Sequence, residues 1–417
     1  MPLSDEVDGE RAGDRRLFYL VAPAGFPNYG DELIAAAWLD YLAETAPEAD
    51  VWVDTHSPGG AAVLLSSHHP RVRFTDTLWR LAEGAPSDDP WEAANWVQEV
   101  VHNPGMMPRW HHGVELLARA EVVHLLGGGY VNQVWPRHIG VLAGAAAAVR
   151  RSGGRAAMTG QGLLPAADGV APLLRALADR FELVDVRDDG SAALLGVPTG
   201  ADDAFLGMGP ARFAKGDAPE VMLCLQSDLL DEGAGTLAAG VLATLRAWKV
   251  APENVGVVEG IPRVDRDVYA LFEHELPGAR FYPFPDVWAH GLPVAEGQTW
   301  LSTRFHPHLV AASAGVAGVA ISVRPDYYAT KHRSLTELGS GWTVVDDIEA
   351  MAAGEVPERP VTGGFDADLV ARLAHRKREL ADAVYAPVPR ASATPGEPAE
   401  ETTPAAPVSR LGKLLGR

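Results

Sequence analysis

The sequence predicts an α/β protein made of two doubly wound, Rossmann-like domains that face each other across a cleft. Three observations carry this reading. Short apolar runs bounded by Gly, Pro, Asp or Asn alternate with helix-length segments almost from end to end. The stretch GMGPARFAKGDAP at 207–219 is rich in Gly and Pro, lacks periodicity, and splits that alternation into two similar halves. The length of 417 residues suits two domains.

The elements follow in order. Candidate strands in the first half are 17–22, 51–54, 122–126, 155–159 and 183–186. Those in the second half are 221–225, 255–259, 299–302, 319–323 and 342–345. Helical segments at 32–45, 136–151, 170–180 and 234–248 lie between them. Strand–helix alternation of this kind builds parallel sheets covered on both faces. The expected division is a flexible N-terminus at 1–16, a domain at 17–206, a linker at 207–219, a second domain at 220–385 and a tail at 386–417. The tail is rich in Pro, Ala, Thr and Glu and is expected to be disordered, because it has too little apolar surface to offset ordering.

Composition excludes several function classes. The formal net charge of −20 argues against a general nucleic-acid binder or a binder of anionic membranes. A small anionic substrate remains compatible, because a few local cations outweigh the far field. Cys224 is the single cysteine, so neither an intramolecular disulfide nor a multi-cysteine zinc site is possible. His68–His69 and His111–His112 lack metal-ligand spacing, so no metal site is expected. The N-terminus lacks the apolar core of a signal peptide, and 141–149 is too short to span a bilayer. A cytoplasmic protein without an integral membrane segment is the expectation.

In doubly wound sheets, ligands bind beyond the carboxyl ends of strands, so residues just after strands carry the most weight. GFPNYGDELI at 25–34 follows the first strand. Here Asn28 supports a turn, and Asp31 either caps a helix or meets a substrate. LLGGGYVNQVWPRHIG at 125–140 places Gly127, Gly128 and Gly129 after a strand, where they permit close ligand approach or simply a crowded crossover. MTGQGLLP at 158–165 follows another strand. In VDVRDDGSAALLG at 184–196, Arg187 stands at the cleft mouth or pairs with Asp188 and Asp189. TWLSTRFHPHLVAASAGV at 299–316 sets Arg304 and His306 at a strand end. Arg offers a planar fork for carboxylate or phosphate, and His a proton donor or acceptor near neutral pH. His308 is a second histidine whose orientation the spacing leaves open. DYYATKHRSLTELG at 326–339 contributes Lys331, a cationic ligand group or a solvated helix residue. Trp79, Trp91, Trp96 and Trp110 suit either core packing or stacking on a sugar.

The ordered set NYGDELI, LLGGG, GQGLLP, VRDDGS with ADDAF, TRFHPHLVAASAGV and YYATKHRSLTELG resembles the polysaccharide pyruvyl transferase family over about residues 17–340. The resemblance implies an architecture similar to B-type glycosyltransferases. It implies phosphoenolpyruvate as donor, a sugar or glycan acceptor in cell-wall or exopolysaccharide synthesis, a pyruvate ketal as product, and no cofactor. Carried over residue by residue, His306 is the expected general acid. Arg187 and Arg304 are the expected clamp on the donor's phosphate and carboxylate, and Lys331 a further donor contact. Gly127, Gly128 and Gly129 would offer backbone amides to the donor. Asn28 and Asp31 would meet the acceptor, with Asp31 orienting or deprotonating a hydroxyl. Two alternatives stand beside this. A nucleotide-sugar glycosyltransferase would need a ribose-holding carboxylate, for which Glu337 near Gly339 and Gly341 is the best candidate. A non-catalytic glycan- or partner-binding member would be expected to lack one of the charged cleft residues.

Overall fold

The computed structural model describes residues 15–324 and 330–387, so most of the N-terminal segment and of the tail lies outside the described residues. The first half forms a six-stranded parallel sheet of β1 (Leu17–Val21), β2 (Asp50–Asp54), β3 (Val72–Thr75), β4 (Val122–Leu125), β5 (Arg155–Gln161) and β6 (Leu183–Val186). The second holds β7 (Val221–Cys224), β8 (Val255–Val258), β9 (Arg280–Tyr282), β10 (Thr299–Ser302), β11 (Ala317–Ile321) and β12 (Thr343–Val345), also parallel.

The strand orders are β3-β2-β1-β4-β5-β6 and β12-β11-β10-β7-β8-β9. Read from β7 as a first strand, the second order repeats the first. Both are doubly wound, with switch points between β1 and β4 and between β7 and β10. The fold class expected from the sequence is therefore the one observed. The central strands β1, β4, β7 and β10 are buried along their whole length, as strands covered on both faces must be. Their apolar side chains join those of the flanking helices in three core clusters.

Two strands were not expected. β3 and β9 are edge strands of four and three residues, and most of their side chains are only partly buried. Their sequences thus carry little of the apolar signal that marks the inner strands. The ends of the chain also depart from the expected division. The helix Ala367–Tyr385 belongs by sequence to the second half, yet it packs on the first. Its Lys377 is buried and pairs with Asp185 at 2.5 Å and Asp203 at 2.7 Å, and its Tyr385 hydroxyl meets His124 at 2.8 Å. Arg16, expected in a flexible terminus, pairs with Glu121 at 2.6 Å and donates to the Tyr385 carbonyl. No described helix is long and apolar enough to cross a membrane.

Candidate active site

The carboxyl ends of the two sheets point at each other. The loops leaving them enclose a cavity of about 520 Å³, within the range usual for small-molecule sites. Asn28 and Asp31 reach it from the segment after β1, Gly129 and Tyr130 from that after β4, and Arg187 from the end of β6. The second half contributes Asp228 after β7, Gly260 after β8, Arg304 and His306 after β10, and Lys331 after β11. The halves touch beside the cavity, where the Tyr29 amide donates to the Gly260 carbonyl at 2.9 Å.

Asn28, not Asp31, caps the helix Tyr29–Thr45. Its Oδ1 accepts from the Gly30 amide at 3.4 Å, and its Nδ2 donates to Asp31 Oδ2 at 2.8 Å. Asp31 is thereby left in the first turn with its carboxyl toward the cavity. Burial pushes its pKa up, and His306, Lys331 and Arg187 offset only part of that rise.

Arg187 follows β6, with its amide bonded to the Gln161 carbonyl at 3.0 Å. Its Nη1 donates to Asp202 Oδ2 at 2.8 Å, and its guanidinium lies 4.4 Å from the centre of the Phe305 ring. The expected partners Asp188 and Asp189 are otherwise occupied. Asp188 caps the helix Asp189–Leu195 by accepting from the Ser191 amide at 2.7 Å, and Asp189 accepts from the Thr199 hydroxyl at 2.5 Å. The buried Asp202 also stands 3.4 Å from His306 Nε2 through its other oxygen. It therefore links Arg187 of one half to His306 of the other. Burial alone would raise the Asp202 pKa, but His306 and Arg187 outweigh it and hold the carboxyl well below the usual range.

Arg304 is tied more tightly. Its Nε and Nη2 both reach Asp265 Oδ1, at 3.0 and 2.5 Å, and Nη2 also donates to Asp228 at 2.8 Å. Asp265 is buried, and its other oxygen accepts from the amides of Gly260 at 2.8 Å and Ile261 at 3.0 Å. His306 follows on the first turn of the helix Phe305–Ser313, with its ring against Gly30 across the cleft. A Cβ on Gly30 would overlap that ring, so glycine is what admits the imidazole. His308 points away from the cavity. It is fully buried between His332 at 3.1 Å and the Ser340 hydroxyl at 2.9 Å, and stacks on Trp342.

The glycine triplet divides. The Gly127 amide donates to Asp203 Oδ2 at 2.8 Å, and the Gly128 amide to the Gly160 carbonyl at 3.3 Å. Those two amides are spent inside the protein, which corrects the expectation that they meet a donor. Gly129 alone of the three lines the cavity. Arg187 Nη2 and Lys331 Nζ lie 3.0 and 3.1 Å from where a Cβ on Gly129 would stand, so two cations converge on one spot. Burial pushes the Lys331 pKa well below the usual lysine range and neighbouring Arg187 adds to this, against an opposing pull from Asp31.

Asp31, Arg187, Arg304, His306 and Lys331, the charged residues assigned to donor and acceptor from sequence, thus line one cavity. Sequence reasoning missed the carboxylates that hold them, Asp202, Asp228 and Asp265. It also missed the aromatic wall of Phe26, His56, Tyr130, Trp135 and His138. Asp202 sits in the quoted ADDAF run, but nothing local tells which aspartate turns inward. Of the four tryptophans considered for stacking, Trp79 is fully buried behind that wall, and none lines the cavity. Glu337 is exposed and outside the cavity, where it cannot hold a ribose. Among the described residues, no group of three or more His, Cys, Asp or Glu side chains is arranged to hold a metal ion.

No curated protein matches the chain in sequence. Among solved structures, the UDP complex of MnaA from S. aureus aligns at a TM-score of 0.46 and 13% identity, over 88% of this chain and 97% of that one. HepE of Anabaena with UDP-glucose aligns at 0.44 and 13%, over 88% and 95%. The UDP-GlcNAc 2-epimerase of Neisseria meningitidis bound to UDP-GlcNAc aligns at 0.46 and 10%, over 87% and 100%. The family model for polysaccharide pyruvyl transferase matches residues 28–325, a span that runs from Asn28 past Arg187, Arg304 and His306. The chain is therefore a member of the polysaccharide pyruvyl transferase family, a family of transferases.

Proposed function

We propose that this protein transfers the three-carbon unit of phosphoenolpyruvate onto two hydroxyls of a sugar, forming a pyruvate ketal and releasing inorganic phosphate. The observation that carries the reading is the convergence of Arg187 and Lys331 at Gly129, with Arg304, His306 and Asp31 lining the same cavity. A donor bearing a carboxylate and a phosphate needs such a cluster. Arg supplies paired N–H donors in a plane, and Lys a point charge.

The chemistry then assigns roles. His306 protonates the methylene carbon of the donor as a sugar hydroxyl attacks the adjacent carbon. Asp202, held ionised, stands 3.4 Å from His306 Nε2 and orients the ring that donates this proton. Asp31, whose pKa burial has raised, is a better base than an exposed carboxylate and takes the hydroxyl proton. Phosphate leaves with its bonding pair, stabilised by Arg187 and Lys331. The second hydroxyl closes the ring, and its proton departs with the phosphate. One methylene proton is gained and two hydroxyl protons are lost, so the balance closes on neutral ketal oxygens and one phosphate.

The test is turnover of phosphoenolpyruvate labelled at its methylene carbon, followed by carbon NMR with a panel of methyl hexopyranosides and polymer repeats. The expected product is a labelled methyl group on a ketal carbon, with one phosphate released per ketal. A labelled enol ether that keeps its methylene would show transfer without ketal closure and would refute the ketal product. Turnover of UDP-glucose in place of phosphoenolpyruvate would refute the donor.

A further inference from the structure

The cavity has two chemically different ends, and the proposal above uses only one. Besides the cationic cluster, the cavity is lined by Phe26, Trp135, His56 and His138, whose rings form a continuous aromatic wall backed by the buried Trp79. His56 lies over Trp79 with ring centres 3.9 Å apart, His138 meets the Trp79 edge at 5.1 Å, and Trp135 stacks on His138 at 5.9 Å and 11°. Phe26 and Trp135 are 65% and 37% exposed, unusual for large aromatics in a chain that buries most of its rings.

The polar groups on this wall are hydroxyl-reading rather than anion-binding. His138 Nδ1 faces the Tyr130 carbonyl at 2.8 Å, so Nδ1 carries the proton and Nε2 keeps its lone pair. Burial lowers the His138 pKa to about 4, and lowers that of His56 as well, so neither ring is a cation at neutral pH. Glu83 at the rim is paired with Arg80, whose Nη1 donates to Oε2 at 2.7 Å, and its Oε1 lies 3.3 Å from His56 Nδ1, so its charge is neutralised while its lone pairs still accept from a hydroxyl. Flat apolar surface beside neutral acceptors and a carboxylate fits the C–H face and hydroxyl edge of a pyranose ring.

We infer that this aromatic end is the acceptor subsite, which stacks a neutral pyranose on Trp135 and Phe26 and takes its hydroxyls on His138 Nε2 and Glu83. The inference rests on the proposed reaction for the word acceptor, but the binding of a neutral sugar here stands without it. It also says why Asp31 lies where it does: residues from the cationic end and the aromatic wall line one continuous space.

Saturation-transfer NMR on the full chain tests the site directly, with methyl glucoside, galactoside, mannoside and the N-acetylhexosaminides as probes and no donor present. At least one of them is expected to bind. Trp135→Ala should weaken it about tenfold, and Trp135→Phe, which keeps a ring, should restore most of that loss. Phosphoenolpyruvate affinity, measured in parallel by calorimetry, should stay the same in both variants. Sugar binding untouched by Trp135→Ala overturns the subsite, as does the absence of saturable binding of any of these sugars to wild type. Loss of phosphoenolpyruvate binding in wild type with sugar binding intact overturns the donor reading and leaves the subsite standing.

Discussion

The two halves of the molecule repeat one topology, and each presents an arginine from the carboxyl end of a strand to the same cavity. Their treatment differs. Arg187 gives Asp202 one nitrogen, Nη1, while its Nη2 faces the Gly129 spot where Lys331 also arrives. Arg304 commits Nε and Nη2 to Asp265 and shares Nη2 with Asp228. The first half therefore offers an arginine with more of its fork turned to a ligand. The second offers an arginine that braces its own loops, with His306 two residues later lining the same cavity. Topological repetition fixed where functional groups emerge, and the local carboxylates fixed what each of them does.

The largest expected effect separates the two histidines of the second half. His306→Ala should lower turnover by about 10²–10⁴, the usual loss of a general acid, with phosphoenolpyruvate affinity nearly kept. His308→Ala should instead lower the unfolding midpoint, because His308 is buried and bonded at both ring nitrogens. Equal turnover losses from the two would erase the distinction.

The arginines come next. Arg187→Met removes charge-assisted bonds to the donor and should weaken phosphoenolpyruvate binding by about 10²–10³. Its effect on stability should be smaller, because Asp202 keeps His306 as a partner. Arg304→Met strands the buried Asp265, so its main effect should be a loss of about 3–5 kcal/mol in urea unfolding. A reversed pattern would break the comparison.

Gly30→Ala is smaller and more pointed. Gly30 is helical, where Ala is the better residue by about 1 kcal/mol, so stability should hold or rise. The added methyl displaces the His306 ring. Turnover should fall by about 10²-fold, the scale of a misplacement near 1 Å. Unchanged turnover would mean that the ring works from another position.

The smallest effect is a pH dependence. Burial lowers the Lys331 pKa in the free protein, whereas a bound anion favours the charged amine. Donor affinity should therefore fall as pH rises, beginning well below the ordinary lysine range. Lys331→Met should bind more weakly at neutral pH and lose that slope. A slope that survives the substitution would assign the titration elsewhere.

Much of this arrangement was legible in the sequence. The inner strands announce themselves as buried apolar runs. The rule that ligands gather at strand carboxyl ends selects Asp31, the glycines 127–129, Arg187, Arg304 and His306 without coordinates, though only Gly129 of the three glycines lines the cavity. Other features were not legible, for physical reasons. β3 and β9 are short edges with little apolar content. The return of the helix Ala367–Tyr385 to the first half depends on the pairing of Lys377 with Asp185 and Asp203, far away in sequence. Arg304 and Asp265 are 39 residues apart, and no spacing rule joins them. The aromatic wall draws Phe26, His56, Trp135 and His138 from three segments, each ordinary by itself.

The central claim is that the end of the cavity held by Arg187 and Lys331 binds a small carboxylate–phosphate donor. Calorimetric titration of phosphoenolpyruvate into wild type and Arg187→Met, with UDP-glucose as the control ligand, tests it most directly. The account predicts saturable binding to wild type, a loss of about 10²–10³ in the variant, and no heat from UDP-glucose. Equal affinity of the two proteins for phosphoenolpyruvate, or binding of UDP-glucose in its place, would contradict it.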